Sequence, residues 1–361
     1  MKSAAVRSAL MGAAALWFSP LVATAQVFSG LGMQPGSTQS RATAISDDGT
    51  TVVGWEFGGI NVGWRHRLGS STDYFDPQTR ATGVSADGSV VVGYPTNVSS
   101  TPPAFRWTAA GGIQFVPEVR HSLDPDPAIS ANGTYMVGRG ENGGVVRWSE
   151  TTGPFQLPNP PTGSFTFATT LYGLATNFDG AVVVGGAGVL PPFPGMSYVT
   201  PYRWSAATGT QLLTLPDGTH PPGSAFGVSA DGNIVLTAGD QVGRWQASTG
   251  IVIINGLTVN GGLALPALSA DGNTIVSIDK LWTTSHGVRT LTDVLTDAGC
   301  DFSGWSNLIA TDVSGNGLAL CGYGQNPQGH TEAWYATVPS PGTVMVLAPA
   351  LLWRRRRSCS G

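Results

Sequence analysis

The sequence is short of charge. Only 11% of its 361 residues are Asp, Glu, Lys or Arg, and lysine occurs twice, at Lys2 and Lys280. Long charged helices and coiled coils are thereby excluded. Three cysteines cannot build a disulfide scaffold, and a body of this length needs none. The five histidines (His66, His121, His220, His286, His330) are scattered without metal-ligand spacing. No Gly-x-Ser-x-Gly elbow or phosphate-cradling loop occurs. No catalytic residue, metal ligand or cofactor is therefore assigned. Disorder is excluded as well, because 41% of residues are hydrophobic and 11 are Trp. What abounds is glycine, 50 residues, about double the usual share.

The two ends read as addresses. Residues 1–25 form a secretory signal: Lys2 and Arg7 start it, Met11 to Ala23 is apolar, and Ala23-Thr24-Ala25 is a small-x-small cleavage site that leaves Gln26 first. Residues 338–361 begin with Val338-Pro339-Ser340-Pro341-Gly342. A mostly apolar run follows, Thr343 to Trp353, and then Arg354, Arg355, Arg356 and Arg357. Eleven residues rise only about 16 Å as a helix, half a bilayer core, which suits a transient stop-transfer element better than a lasting transmembrane helix or membrane anchor. The arginines would stay cytoplasmic. The tail resembles the PEP-CTERM sorting signal of Gram-negative bacteria, with Pro-Ser-Pro where that signal has Pro-Glu-Pro. The resemblance implies export, transient membrane contact, and two partners: the export machinery and a sorting transpeptidase-like enzyme.

The ends hold six basic residues and no acidic one. The 18 basic and 22 acidic residues of the chain thus become 12 and 22 in the body, a net of −10. Such a body repels nucleic acid.

Residues 26–337 repeat one phrase. Its turn glycines are Gly49, Gly88, Gly133, Gly180, Gly232, Gly272 and Gly317, each preceded by Asp or Asn. Asx-Gly between β-branched runs predicts a hairpin, with both residues tolerating positive φ. A tryptophan follows each turn: Trp64, Trp107, Trp148, Trp204, Trp245, Trp282 and Trp334, four of them after arginine. In the second unit four strands are expected near 81–85, 89–94, 104–108 and 112–116. Four strands in about 45 residues make one propeller blade. The expected fold is all-β: a seven-bladed β-propeller of four-stranded antiparallel blades, the tryptophans filling the seams. The seventh unit lacks its fourth strand, and residues 26–31 are expected to supply it, the N-terminal strand closing the last blade.

The phrases ATAISDDGTTVVGW, ATGVSADGSVVVGY and FGVSADGNIVLTA resemble the HAF family of bacterial extracellular repeats. That family implies export and repetition, and no catalytic residues.

In such blades the first and third turns share one face of the disc, and the second turns and inter-blade links share the other. Length variation falls on the second face, in 95–103 and 187–200 and in the links 117–127, 158–170 and 292–307. Binding belongs there, with Phe165, Phe167, Phe193 and Tyr198 as candidate ligand-facing aromatics. One or two helical turns are expected over 291–296. Asp124, Asp126, Glu141 and Asp240 lie in the same variable loops. Cys300 and Cys321 are a candidate disulfide in an exported chain, the alternative being a buried Cys321 where other units carry Val and a free Cys300. The expectation is an exported, surface-sorted binding or structural module of the cell envelope or extracellular matrix of a Gram-negative-type bacterium. Extracellular polysaccharide or another surface protein is its candidate partner. The alternative is a secreted glycosidase or lyase on the same scaffold.

Overall fold

The computed structural model describes residues 27–97, 101–121, 126–141, 143–160, 166–190, 198–259 and 264–338. After a short β1 (Phe28–Gly30), the chain runs through successive sets of antiparallel strands; three are separate four-stranded sheets, and the others join in two eight-stranded sheets, by a parallel contact of Gln39 with Thr331 and an antiparallel one of Arg139 with Arg120. The sets are β2 (Gln39–Ile45), β3 (Thr51–Phe57), β4 (Asn61–Arg67) and β5 (Thr72–Pro77); then β6 (Thr79–Val84), β7 (Val90–Pro95), β8 (Pro103–Thr108) and β9 (Gly112–Arg120). Next come β10 (Ala128–Ile129), β11 (Met136–Arg139), β12 (Val145–Ser149) and β13 (Gly153–Gln156); and β14 (Thr166–Thr176), β15 (Val182–Leu190), β16 (Tyr198–Ser205) and β17 (Gly209–Leu212). They are followed by β18 (Ser224–Val228), β19 (Val235–Ala238), β20 (Val242–Gln246) and β21 (Gly250–Ile253); and by β22 (Ala267–Leu268), β23 (Thr274–Ser277), β24 (Lys280–Thr283) and β25 (Gly287–Thr290). A helix, α1 (Leu291–Asp297), precedes β26 (Ser306–Val313), β27 (Ala319–Gln325) and β28 (Thr331–Thr337). Thr290 caps α1, its hydroxyl accepting from Asp293 N at 3.1 Å. The expected second-unit strands are all present, the fourth running on to Arg120.

The last set takes its fourth strand from the start of the chain. Phe28, Ser29 and Gly30 pair antiparallel with Ala336, Tyr335 and Trp334. Phe28 then stacks on Trp334 at 5.5 Å between ring centroids and meets Trp305 edge-on at 5.3 Å. Burying three rings at the junction of first and last strands gives this closure an apolar driving force as well as its ladder bonds.

Each hairpin turn is built alike, and the built form corrects the sequence reading of the aspartates. Only the glycines turn left-handed, with φ of 70–74° at all seven positions; the preceding Asp or Asn does not. The acidic side chain serves as an internal acceptor instead. In the second unit Asp87 Oδ1 accepts from Ser89 N at 2.9 Å and from Ser85 Oγ at 2.7 Å, while Ser85 Oγ accepts from Val90 N at 3.0 Å. Ser-x-Asx-Gly thus satisfies its own loop backbone. The same bonds recur from Ser46, Ser130, Ser229, Ser269 and Ser314, and Asn177 Oδ1 replaces the serine in the fourth unit.

The turns are also tied to one another. Asp48 N donates to Ala86 O, Ala86 N to Ala131 O, and Asn132 N to Phe178 O. Asn177 Nδ2 donates to Ala230 O, Ala230 N to Ala270 O, and Asp271 N to Gly315 O. Gly315 N then donates to Asp47 O at 3.0 Å, back in the first turn. Each turn glycine lies against the preceding unit: a Cβ on Gly133 would meet Val90 at 2.9 Å, and one on Gly232 would meet Val182 at 2.6 Å. Glycine is required there by space as well as by φ.

The tryptophans lie in apolar clusters shared by their own set and the one before. Trp64 packs with Ala319, Cys321 and Tyr335; Trp204 with Val137, Val145 and Leu157; Trp334 with Val276, Leu281 and Leu291. Trp107, Trp148, Trp245 and Trp282 lie partly buried in the corresponding clusters. The neighbouring arginines reach the other way, to the next turn. Arg65 donates to Gly88 O at 3.1 Å, Arg147 to Gly180 O at 2.9 Å, Arg203 to Gly232 O at 3.0 Å and Arg244 to Gly272 O at 3.2 Å. Arg106 departs from the series and pairs with Glu150 at 3.1 Å.

One buried carboxyl stands at the closure. Asp312 occupies a position where other units have Ala or Gly, and its Oδ2 accepts from Ile45 N of the first set at 2.9 Å. Burial pushes its pKa up to about 7, against the lowering effect of the Ile45 and Val313 amides; Asp47 adds to the rise. A raised acid pKa means the folded state prefers the proton. Stability from this group is full below about pH 4 and is lost as pH climbs to about 7, by roughly 1 kcal/mol per pH unit. Asp312→Asn should flatten that limb of a pH-dependent melting curve. Separately, Arg203→Gln should cost about 1–3 kcal/mol by urea unfolding, and deletion of residues 26–33 should cost more, since it strips both a strand and the Phe28 contacts.

Candidate binding face

Strand direction sorts the two faces. Strands β2, β6, β18 and β26 run into the Ser-x-Asx-Gly turns, so those turns and the third turns form one face. Second turns and inter-set links form the other. Both ends of the described chain lie on the turn face: Thr337 N donates to Val27 O, and Val338 N to Leu318 O in the last hairpin turn, each at 2.9 Å. Residues 1–26 and 339–361, which carry the expected signal, its cleavage site and most of the sorting motif, lie outside the described residues. Among the described residues no helix is long and apolar enough to cross a membrane.

The opposite face carries a cleft of about 320 Å³ between the fourth and fifth sets. The link that follows β17 supplies Leu215, Thr219, His220, Pro221 and Pro222; the turn between β19 and β20 supplies Asp240 and Gln241; Ile251 and Ile253 form part of the wall. The prolines hold the link rigid, with Thr200 Oγ donating to Pro221 O at 3.0 Å. Asp240 is the one carboxylate among the lining residues. Of the other variable-loop carboxylates, Asp126 pairs with His121 at 3.2 Å and Glu141 with Arg120 at 2.9 Å, while Asp124 lies outside the described residues. A lone carboxylate in a cleft can orient a ligand; the paired-carboxylate chemistry of glycoside cleavage needs a second one facing it.

The aromatics singled out from sequence fall otherwise. Phe165 and Phe193 lie outside the described residues. Phe167 stands in β14, paired with Val189, and Tyr198 is half-buried in β16, also opposite Val189; Tyr198 does not line the cleft. The exposed rings are elsewhere: Tyr74, Phe115 and Phe155 on outer strands and Phe178 in a hairpin turn. The sequence signal for the cleft is the Pro-Asp-Gly and Pro-Pro spacing of 216–223, which marks a restricted link.

The candidate disulfide is not formed. Cys300 and Cys321 are free and buried in different apolar clusters. Cys300 Sγ faces the Thr337 carbonyl at 3.5 Å, and Cys321 Sγ lies 3.6 Å from Thr311 Oγ, in the strand position that the other units fill with Val or, at Leu236, Leu. Burial raises both thiol pKa values, Cys321 the more. Among the described residues no group of three or more His, Cys, Asp or Glu is placed to hold a metal.

No family model matches the chain, and no curated protein matches it. Solved structures do. It is similar to TolB from Acinetobacter baumannii (12% identity, 82% of this chain and 65% of that one, TM-score 0.42), so it spans just under two thirds of that protein's length. It is also similar to the β-propeller domain of the Trilobed protease from Pyrococcus furiosus (9% identity, 83% of this chain and 94% of that one, TM-score 0.54), a domain described as having an open velcro topology. The chain has a β-propeller fold. In a Cys359→Ser variant, neither remaining thiol should react with a maleimide until denaturant is added, and both should then titrate without reductant.

Proposed function

We propose that the chain is an exported, surface-sorted propeller of seven blades that acts as a non-enzymatic binding or structural module. The observation that carries this reading is the opposition of its faces. Val27 and Val338, the ends of the described residues, lie on the stitched turn face, while the cleft lies on the other. A tail of the PEP-CTERM type, held at a membrane, would turn the stitched face inward and present the cleft outward. The HAF-type repeats fit an exported chain, and the body's net charge of −10 fits a partner other than nucleic acid. Supporting a count of seven are the seven turns, whose mutual hydrogen bonds return to the first.

The cleft suits a neutral or mildly polar ligand. Its walls are proline and aliphatic, with Thr219, His220, Asp240 and Gln241 as the directional groups. An extracellular polysaccharide segment or a loop of another surface protein has that character. The purified protein should be retained on specific spots of a glycan and peptide array, and Gln241→Trp, which fills the cleft, should release it. Retention unchanged by that variant, or glycan cleavage in place of retention, would overturn the reading.

A further inference from the structure

A second feature of the loop face lies away from the cleft, where the first set meets the last and the second. Arg41, near the start of β2, has its guanidinium carbon 4.5 Å from the Tyr323 ring centroid and 5.5 Å from that of Trp55. Its Nε is shut from solvent without a partner, and among the described residues the guanidinium has no hydrogen bond and no ion pair. Arg80, near the start of β6, lies 4.0 Å from the same Trp55 centroid. Its Nε and Nη2 share one neutral acceptor, Asn61 Oδ1, at 3.1 Å each. Two cations thus contact one indole, and among the described residues neither forms an ion pair with a carboxylate. Most other basic side chains of the body are tied elsewhere, to turn carbonyls or to Asp73, Glu150, Glu141 and Asp297.

Contact with the aromatic rings positions both guanidinium groups and leaves the Nη edge of Arg41 and the Nη1 group of Arg80 as donors without a described acceptor. An edge of that kind matches a carboxylate with two parallel bonds. The acidic body disfavours a long polyanion, yet its distant charges are screened beyond about 8 Å at physiological ionic strength, so a short ligand feels chiefly the two arginines.

We propose that Arg41 and Arg80 form an anion site on the loop face that takes a small ligand with two carboxylates, one on each guanidinium. The site shares the face assigned above to binding but does not use the cleft. Calorimetric titration of the full protein with citrate, inorganic phosphate and sucrose tests it. Citrate should bind the wild type more tightly than phosphate, and sucrose should not bind. Arg41→Gln and Arg80→Gln should each weaken citrate about tenfold or more, while Gln241→Trp leaves it unchanged. Thermal melting reports whether each variant is folded; should Arg41→Gln unfold, Arg80→Gln and the loss of citrate affinity between 50 and 300 mM salt carry the test. Absence of citrate binding, equal binding by folded arginine variants, or phosphate binding as tightly as citrate would overturn the proposal. Loss of array binding in Gln241→Trp with citrate binding intact separates the two sites.

Discussion

The fold depends on the seam between neighbouring sheets. A four-stranded twisted sheet is apolar on both sides and cannot shield either alone. Here four of the seams are sealed at two depths. An indole from one unit packs back into the apolar layer of the unit before it, and in four units the adjacent arginine reaches forward to the glycine carbonyl of the next hairpin. One dipeptide therefore addresses both neighbours. The hairpins themselves are joined amide to carbonyl, so that shifting one unit would break bonds on two sides.

That arrangement fixes what is free to vary. Residues in the hairpin turns are held by φ, by close contact and by internal Ser–Asx bonds, which leaves little room for change on that face. The links and second turns lack the repeated Ser-x-Asx-Gly phrase and differ in length and composition, with single positions such as Gly218, Gly223 and Gly329 turned left-handed. The cleft walled by the 215–223 link arises there, and the arginine–aromatic contacts at Trp55 lie on the strand ends at that face, in β2, β3 and β6. The last two units, at Trp282 and Trp334, lack the Trp-adjacent arginine; α1 and the Phe28–Trp334 stack pack in the seam between them, and the buried Asp312 bonds across the closure to Ile45 N.

The repeat, its strand count in the second unit, the N-terminal strand of the last set and the short helix were all legible, because each rests on local pattern: β-branched runs, Asx-Gly turns, a missing strand at one end and a spare one at the other. The role of the turn aspartates was misread. Asx-Gly suggested left-handed backbone at both residues, whereas the Ser two positions earlier makes the Asp an acceptor, a pairing visible only as Ser-x-Asp spacing. The arginines next to tryptophan were noticed without a role, since their partner is a carbonyl some 23 to 33 residues away. The cysteines, 21 apart in sequence, are separated by belonging to different seams.

The sequence by itself determined the unit: which residues turn, which alternate into strands, and which side chains are large enough to fill a seam. These follow from backbone sterics and from period-two burial, which act within a few residues. Only the tertiary structure decided which turn carbonyl each arginine meets, that Arg41 and Arg80 share one indole, and that a proline-walled link encloses a cleft. Those depend on where the ring brings distant segments together, and contact across a seam leaves no periodic mark in the chain.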